Sequence, residues 1–563
     1  MNLRDTRISR PPYLEIKMPA KPTFEFGLVM AGAISAGAYT AGVVDFLIEA
    51  LDAWEEARRL PDYRGPQHRA LLKVMSGASA GGMTSAIAGV ALQSVVQPVR
   101  NVDAPPPAGY NRLYDAWVRR IDVSYLLQTG DLTAGTPVRS LLDCTELEKI
   151  SQDALVTSPL PVGRAYVADP LPIYLTIANL RGVPYAFELF GEGAKPYGMF
   201  AHADHVAFAI SRTGASLPAA LPLDPGDMTA EGWKRLAQSA LATGAFPIGL
   251  RSRVLGRRFA DFDGRFTQKP RWPQPVPADP FDILCVDGGL MNNEPLELAR
   301  KALTNDAFAE DGTEASEGVI MIDPFPNTAS FDPNWVPRDG LIPVAGQMFS
   351  ALINQARFKT EELDLASRPD VYNRYLIAPS RRSTTDGSTL EPAMASAILG
   401  GFGGFLSESF RRHDFQLGRR NCQAFLRTHF CLPESNALFE TWPSADEREE
   451  WYVRDSGTDT LMTFKKEDPQ RMLPIIPLMP QVAAEILPYA APRGDAVDVE
   501  ALGERLDARL KAVAANLIDT DLAPALGGAF VRWIVRQGFN WHVRAKLLAM
   551  MKEKVAKELR QLQ

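Results

Sequence analysis

Gly77-Ala78-Ser79-Ala80-Gly81 has the spacing G-x-S-x-G. A serine on a sharp strand-to-helix turn sits in strained backbone, and glycines two residues to either side remove the Cβ clashes. Its hydroxyl then projects beyond the carboxyl end of the strand. The N–H of Ala80 falls at a helix N-terminus, where developing negative charge is stabilised. The chemistry would be nucleophilic attack on a carbonyl. Asp287-Gly288-Gly289 ends an apolar run, Ile283 to Val286, so its carboxylate is expected at a strand's carboxyl edge. Taken alone, Asp287 reads equally well as a cap of the turn that follows. Gly32-Ala33-Ile34-Ser35-Ala36-Gly37 is a second small-residue turn, offering backbone N–H groups as an anion site. Close helix–strand packing is the plainer account of its glycines. A dinucleotide site would need the G-x-G-x-x-G spacing and a later acidic residue, and neither is found.

Those residues need elements to hold them. Thr23 to Met30 and Leu71 to Met75 are short apolar runs that predict buried strands. Each leads through a small-residue turn into a helical pattern, Ala38 to Leu60 in one case and onward to about Val96 in the other. Strand–turn–helix, twice, is the grammar of a parallel α/β sheet. Pro172–Asn179 and Val183–Phe190, with Arg181-Gly182 between them, predict a β-hairpin. Gly232–Thr243 predicts a helix, and Phe281–Val286 and Val319–Ile322 predict third and fourth buried strands. The expected organisation is an arm over 1–22, a three-layer α/β domain with a mainly parallel sheet over 23–330, a helical extension over 331–430 and a mainly helical C-terminal region over 431–563.

The glycine turn, the serine elbow and the Asp-Gly-Gly motif, in that order, resemble the patatin-like phospholipase family across about residues 24–325. Ala242-Thr243-Gly244-Ala245-Phe246-Pro247 is similar to the family's small-residue segment ahead of the aspartate strand. The first motif departs from the family's G-G-G-x-R/K-G: Ala33, Ile34 and Ala36 stand at its second glycine, third glycine and basic position. The resemblance implies a Ser–Asp dyad in which Ser79 attacks an ester and Asp287 takes its proton without a histidine. It implies an oxyanion hole from the backbone of Gly32, Ala33, Ile34, Gly37 and Ala80, with Gly77, Gly81, Gly288 and Gly289 as support. Phospholipids or other acyl lipids would be the substrates.

Ser79, Asp287 and His413 or His429 also follow the chain order of a conventional triad, but His413 lies in a polar run that reads as a helix surface. Arg411, Arg412, Arg419 and Arg420 around Asp414 read as a solvated, salt-bridged face. In the last helix, 540–563, Leu548, Met551, Val555, Leu559 and Leu562 form a stripe bordered by lysines. It suits a membrane surface, its own core or a second copy of the chain in a homo-oligomer. Lys+Arg 60 against Asp+Glu 67 gives a net charge of −7, which argues against nucleic-acid binding. Four cysteines and six histidines show no metal spacing, so neither metal nor cofactor is expected. Phe26–Val44 and Val74–Val96 lack charge, yet are too rich in Gly, Ala, Ser and Thr to read as spans. A cytoplasmic chain, peripheral at a membrane, is the expectation. A soluble carboxylesterase or thioesterase, and a non-catalytic binding module on the same fold, are the alternatives.

Overall fold

The computed structural model describes residues 21–562, leaving out 156–161, 188–196, 304–308, most of 326–370, most of 523–543 and shorter stretches such as 266–269, 384–386 and 465–468. The expected 1–22 arm therefore lies almost wholly outside the described residues.

The apolar run Thr23–Met30 forms β1 and leads through a tight turn into α1, Gly37–Ala57. Arg69–Gly77 forms β2 and turns directly into α2, Ser79–Ala91. After helix α3, Thr145–Leu155, come β3, Leu171–Phe187, β4, Tyr197–Ile210, and the short β5, Leu221–Leu223. Helix α4, Glu231–Thr243, precedes β6, Arg253–Arg257, and β7, Phe281–Asp287. Then follow α5, Leu296–Leu303, β8, Glu317–Ile322, and β9, Arg374–Ile377. One sheet has the order β5-β4-β3-β2-β1-β8-β9, with β7 joined to β3 and β6. Its five neighbours from β3 to β9 run parallel, as the strand–turn–helix pattern predicts. The segment expected as a helical extension thus also supplies a sheet strand.

Two departures from expectation have local causes. The hairpin predicted across Arg181-Gly182 is one long strand, β3, whose partner in the antiparallel pair is β4. The Asn179 Oδ1 accepts the N–H groups of Arg181 and Gly182, and the register against β4 shifts between Ala178 and Val183. A bulge therefore bends the strand where a turn is expected. The second departure is helix α6, Glu408–Thr428. Its arginines do not form a solvated face: Arg411 and Arg419 are buried. Arg419 pairs with Asp45 and Glu49 of α1, and Arg411 donates to the carbonyls of Val118 and Gly404. Arg412 and Arg420 do reach partners at the surface, Glu408 and Glu485.

Helices α1 and α6 cross in near-backbone contact. A Cβ on Gly42 would lie 2.0 Å from the Phe415 carbonyl oxygen, and one on Gly418 would lie 2.1 Å from that of Tyr39. Gly42 is thus a packing residue. The stretch Ile34–Ala57 is long and apolar enough to cross a membrane, and 94% of its apolar window is buried inside the protein.

The core does not stop at the sheet. Phe430 packs edge-on against Phe24 and Phe26 of β1. It precedes the short antiparallel pair β10, Cys431–Pro433, and β11, Met472–Pro474. Farther on, α7, Val499–Asn516, and α8, Ala545–Leu559, close the chain. Val555 and Leu559 of the terminal stripe are buried in a cluster with Leu502, Ile398 and Phe410, so that side of the stripe faces the protein.

Candidate active site

The two expected chemical groups meet through the topology of β3. Strand β2 runs parallel to β3 and ends with Gly77 beside Leu175. Strand β7 runs antiparallel to β3 and ends with Asp287 beside Ile177. The two strands therefore share one edge of β3, head to head, and their ends stop two residues apart. Past one end stands Ser79, at the other Asp287. The Ser79 hydroxyl donates to Asp287 Oδ2 at 2.7 Å across 208 residues of sequence, and both side chains are buried.

Each partner is fixed by its neighbours. Ser79 has φ +50, the left-handed region that non-glycine residues rarely occupy. Its N–H donates to Thr243 Oγ1 at 2.9 Å. The turn is tight because Gly81 approaches the Met30 carbonyl, where a Cβ would come within 2.1 Å of the oxygen. Gly77 is pressed against Gly81 and Ser85 in the same way. Asp287 receives the Gly289 N–H on Oδ1 at 2.8 Å, so Oδ2 is turned to the serine. Its own N–H donates to the Ala245 carbonyl at 2.9 Å, which is how the segment Ala242–Pro247 serves the aspartate strand. Gly288 lies so close to the Thr176 carbonyl that a Cβ would stand 2.2 Å away.

The glycine turn divides. Ala33 and Ile34 line a cavity with Ser79, and Ile34 holds φ +49. Ala80 lines a second cavity at the same serine. Gly32 is beside the serine, but its N–H donates to the Asn293 carbonyl at 3.3 Å and so fastens the turn. Gly37 does not join the site: it opens α1, and a Cβ there would strike the Trp117 ring at 2.4 Å. Of the expected oxyanion donors, the structure places Ala33, Ile34 and Ala80 by Ser79, holds Gly32 as a tie and leaves Gly37 to packing.

Two cavities meet at Ile34, Ser79, Phe246 and Asp287. One, of about 720 Å³ including its mouth, is walled mainly by apolar side chains such as Met83, Trp117, Leu147 and Leu250. The other, of about 840 Å³ including the solvent at its open side, is walled by small residues of the glycine turn and of the segment 397–401, with Leu290, Asn293 and Phe325. That segment was not legible as part of the site. Leu399, Gly400 and Gly401 all have positive φ, and Ser35 anchors the segment by donating to the Gly401 carbonyl and accepting the Gly404 N–H at 2.9 Å. Phe402 and Phe405 line the apolar cavity. Thr243 and Asn293 are the other residues that sequence reasoning missed; a run of small residues and an Asn-Asn pair carry no catalytic signature.

No histidine lines either cavity among the described residues. His413 is buried with Nδ1 on Asp414 Oδ1 at 2.8 Å, and that carboxylate accepts the N–H groups of Ala395 and Ser396. His429 meets Thr428 Oγ1 and stacks on Phe425, and burial lowers its pKa. No group of three potential metal-ligating side chains occurs among the described residues.

The sequence profile described as patatin-like phospholipase matches residues 28–300. Uncharacterized protein y4iI of Sinorhizobium fredii is 37% identical over 589 aligned positions, which cover 94% of this chain and 81% of the relative. The crystal structure of VipD from Legionella pneumophila covers 96% of this chain and 90% of its own, with 12% identity and a TM-score of 0.20, too low to bear on fold or function.

Proposed function

The chain belongs to the patatin-like phospholipase family, and on that premise we propose that it hydrolyses carboxylic esters of acyl lipids through Ser79 and Asp287. The observation that carries the proposal is the 2.7 Å hydrogen bond from the Ser79 hydroxyl to Asp287 Oδ2 at the junction of two cavities. Asp287 Oδ2 takes the hydroxyl proton as Ser79 Oγ attacks the ester carbonyl. The proton then passes to the departing alcohol, leaving an acyl-enzyme. Water activated by the same carboxylate releases the acid and restores Ser79. N–H groups near Ala33, Ile34 and Ala80 are the donors available to the oxyanion. Ala36 stands where the family has a basic residue, so the donors act without a cation from that turn. The apolar cavity suits the acyl chain, and the cavity of small residues suits the alcohol.

A fluorophosphonate probe tests the nucleophile, because it reports an activated serine without knowledge of the substrate. It should label the wild-type chain and fail to label Ser79→Ala. Asp287→Asn should stay folded and lose about 10²–10⁴-fold in turnover of a soluble short-chain ester, the usual scale for a positioned base. Equal labelling of Ser79→Ala would overturn the assignment.

A further inference from the structure

The rim of the apolar cavity is itself apolar on its outer side. The backbone of Leu141 and Leu142 pairs with that of Ile248 and Gly249: the Leu141 N–H donates to the Ile248 carbonyl at 2.8 Å, and the Leu142 N–H to that of Gly249 at 3.0 Å. Along each segment one residue points out and a neighbour lines the cavity. Leu141 is 44% exposed while Leu142 is a cavity wall; Ile248 is 73% exposed while Leu250 is a cavity wall. Phe246, 37% exposed, joins the two, since it lines both cavities. Phe246 therefore carries apolar surface from solvent to the cavities at Ser79.

Ile248 makes this costly. Its φ is +68. For a β-branched side chain that is a genuine outlier, and a glycine would sit there without strain. The residue is thus strained in its backbone and wetted in its side chain. Strain of this kind is kept where function requires it. Arg139, which is exposed, lines a polar cavity next to the rim together with Asp131, Glu148 and Arg251, the last paired with Glu148 at 3.4 Å.

We propose that the Leu141–Phe246–Ile248 rim is the surface by which the protein seats on a lipid aggregate. An acyl chain crossing the rim would pass from bilayer to cavity without entering water. The occupant is a lipid surface rather than a protein because the patch is continuous with the cavity that accepts the acyl chain. This rests on the lipid-hydrolase reading above, and the test separates the two.

The full-length chain carrying Ser79→Ala, which leaves vesicles intact, is incubated with mixed phosphatidylcholine–phosphatidylglycerol vesicles and sedimented. Adding Ile248→Asp or Leu141→Asp should lower vesicle binding at least about tenfold, the scale of burying one aliphatic side chain. With Ser79 present, the same aspartates should leave kcat/KM on a soluble short-chain ester within about twofold. Ile248→Gly guards against misfolding: relieving the strain should raise the melting temperature, yet vesicle binding should still fall. Unchanged binding in the aspartate and glycine variants, or no vesicle binding by the parent chain, overturns the docking surface while soluble-ester turnover leaves the enzyme intact. Vesicle binding lost with Ile248 in a chain that never turns over esters leaves the surface standing and removes the enzyme.

Discussion

Ser79 is strained by its φ of +50, and its N–H is held by Thr243 Oγ1 at 2.9 Å. Thr243→Val keeps the shape and removes the acceptor. The Ser79 N–H would then be buried without a partner, at about 1–3 kcal/mol. On the proposed mechanism, a small shift of the Ser79 hydroxyl costs more in rate than in stability. The expected result is a loss of about tenfold or more in soluble-ester turnover, with Thr243→Ser restoring it. Urea unfolding of both variants separates the two effects, and wild-type turnover in Thr243→Val would mean the elbow needs no such anchor. At this scale the sequence speaks through residues whose chemistry is rare in their setting. A serine between paired glycines and an aspartate at the end of an apolar strand stand out. Thr243 and Asn293 do not, because the fold alone brings them to the serine.

Among the elements, the pairing of α1 with α6 is the firmest constraint. Gly418 has no room for a methyl group, since the obstacle is the Tyr39 backbone carbonyl and not a mobile side chain. In an isolated helix Gly→Ala is favourable by about 1 kcal/mol. Here Gly418→Ala should instead destabilise by about 1–3 kcal/mol, because the helices must part. Urea midpoints decide the sign, and a stabilised variant would show that the crossing has slack. This crossing explains why α6 is a core helix despite its polar sequence. Its arginines and histidine have the composition of a surface, yet Arg419 is compensated by Asp45 and Glu49 on α1, far away in sequence. Burial of charge is legible only when the partner is known. Strands β1, β2 and β8 were legible because both faces are covered and their runs are mainly apolar, with Glu25 of β1 and Lys73 of β2 paired to each other. The β3 bulge was not, because Arg-Gly has the chemistry of a turn and only the Asn179 side chain and the β4 register make it otherwise.

Over the whole molecule, His68 ties the sheet to the chain's later half. Its ring lies against Trp54, Phe439 and Trp442, and Nε2 donates to the Ile475 carbonyl at 2.8 Å. Nδ1 is buried without a partner, so the neutral ring fits and a second proton has nowhere to bond. Burial, with Arg58 adding to it, pushes this histidine down to about 4. The unfolded chain takes up the proton near pH 6.5, before the folded one does. Stability from this group is therefore complete above about pH 6.5 and is lost as pH falls toward 4, amounting to about 3 kcal/mol. Urea unfolding from pH 7 to 4 should show the wild type losing that much more than His68→Gln; parallel curves would contradict it. The same contacts mean that residues 430–482 share the core of the α/β sheet. Ending the chain near residue 430 should expose that core rather than yield a trimmed enzyme.

The head-to-head meeting of β2 and β7 on β3 has a consequence in time. Nothing local holds Ser79 near Asp287. The bond forms only after β7 has found β3 from more than a hundred residues away, and such long-range pairings form late. A chain refolding from denaturant should bury Trp54, Trp117 and Trp233 while still inert, and recover acyl transfer as its final event.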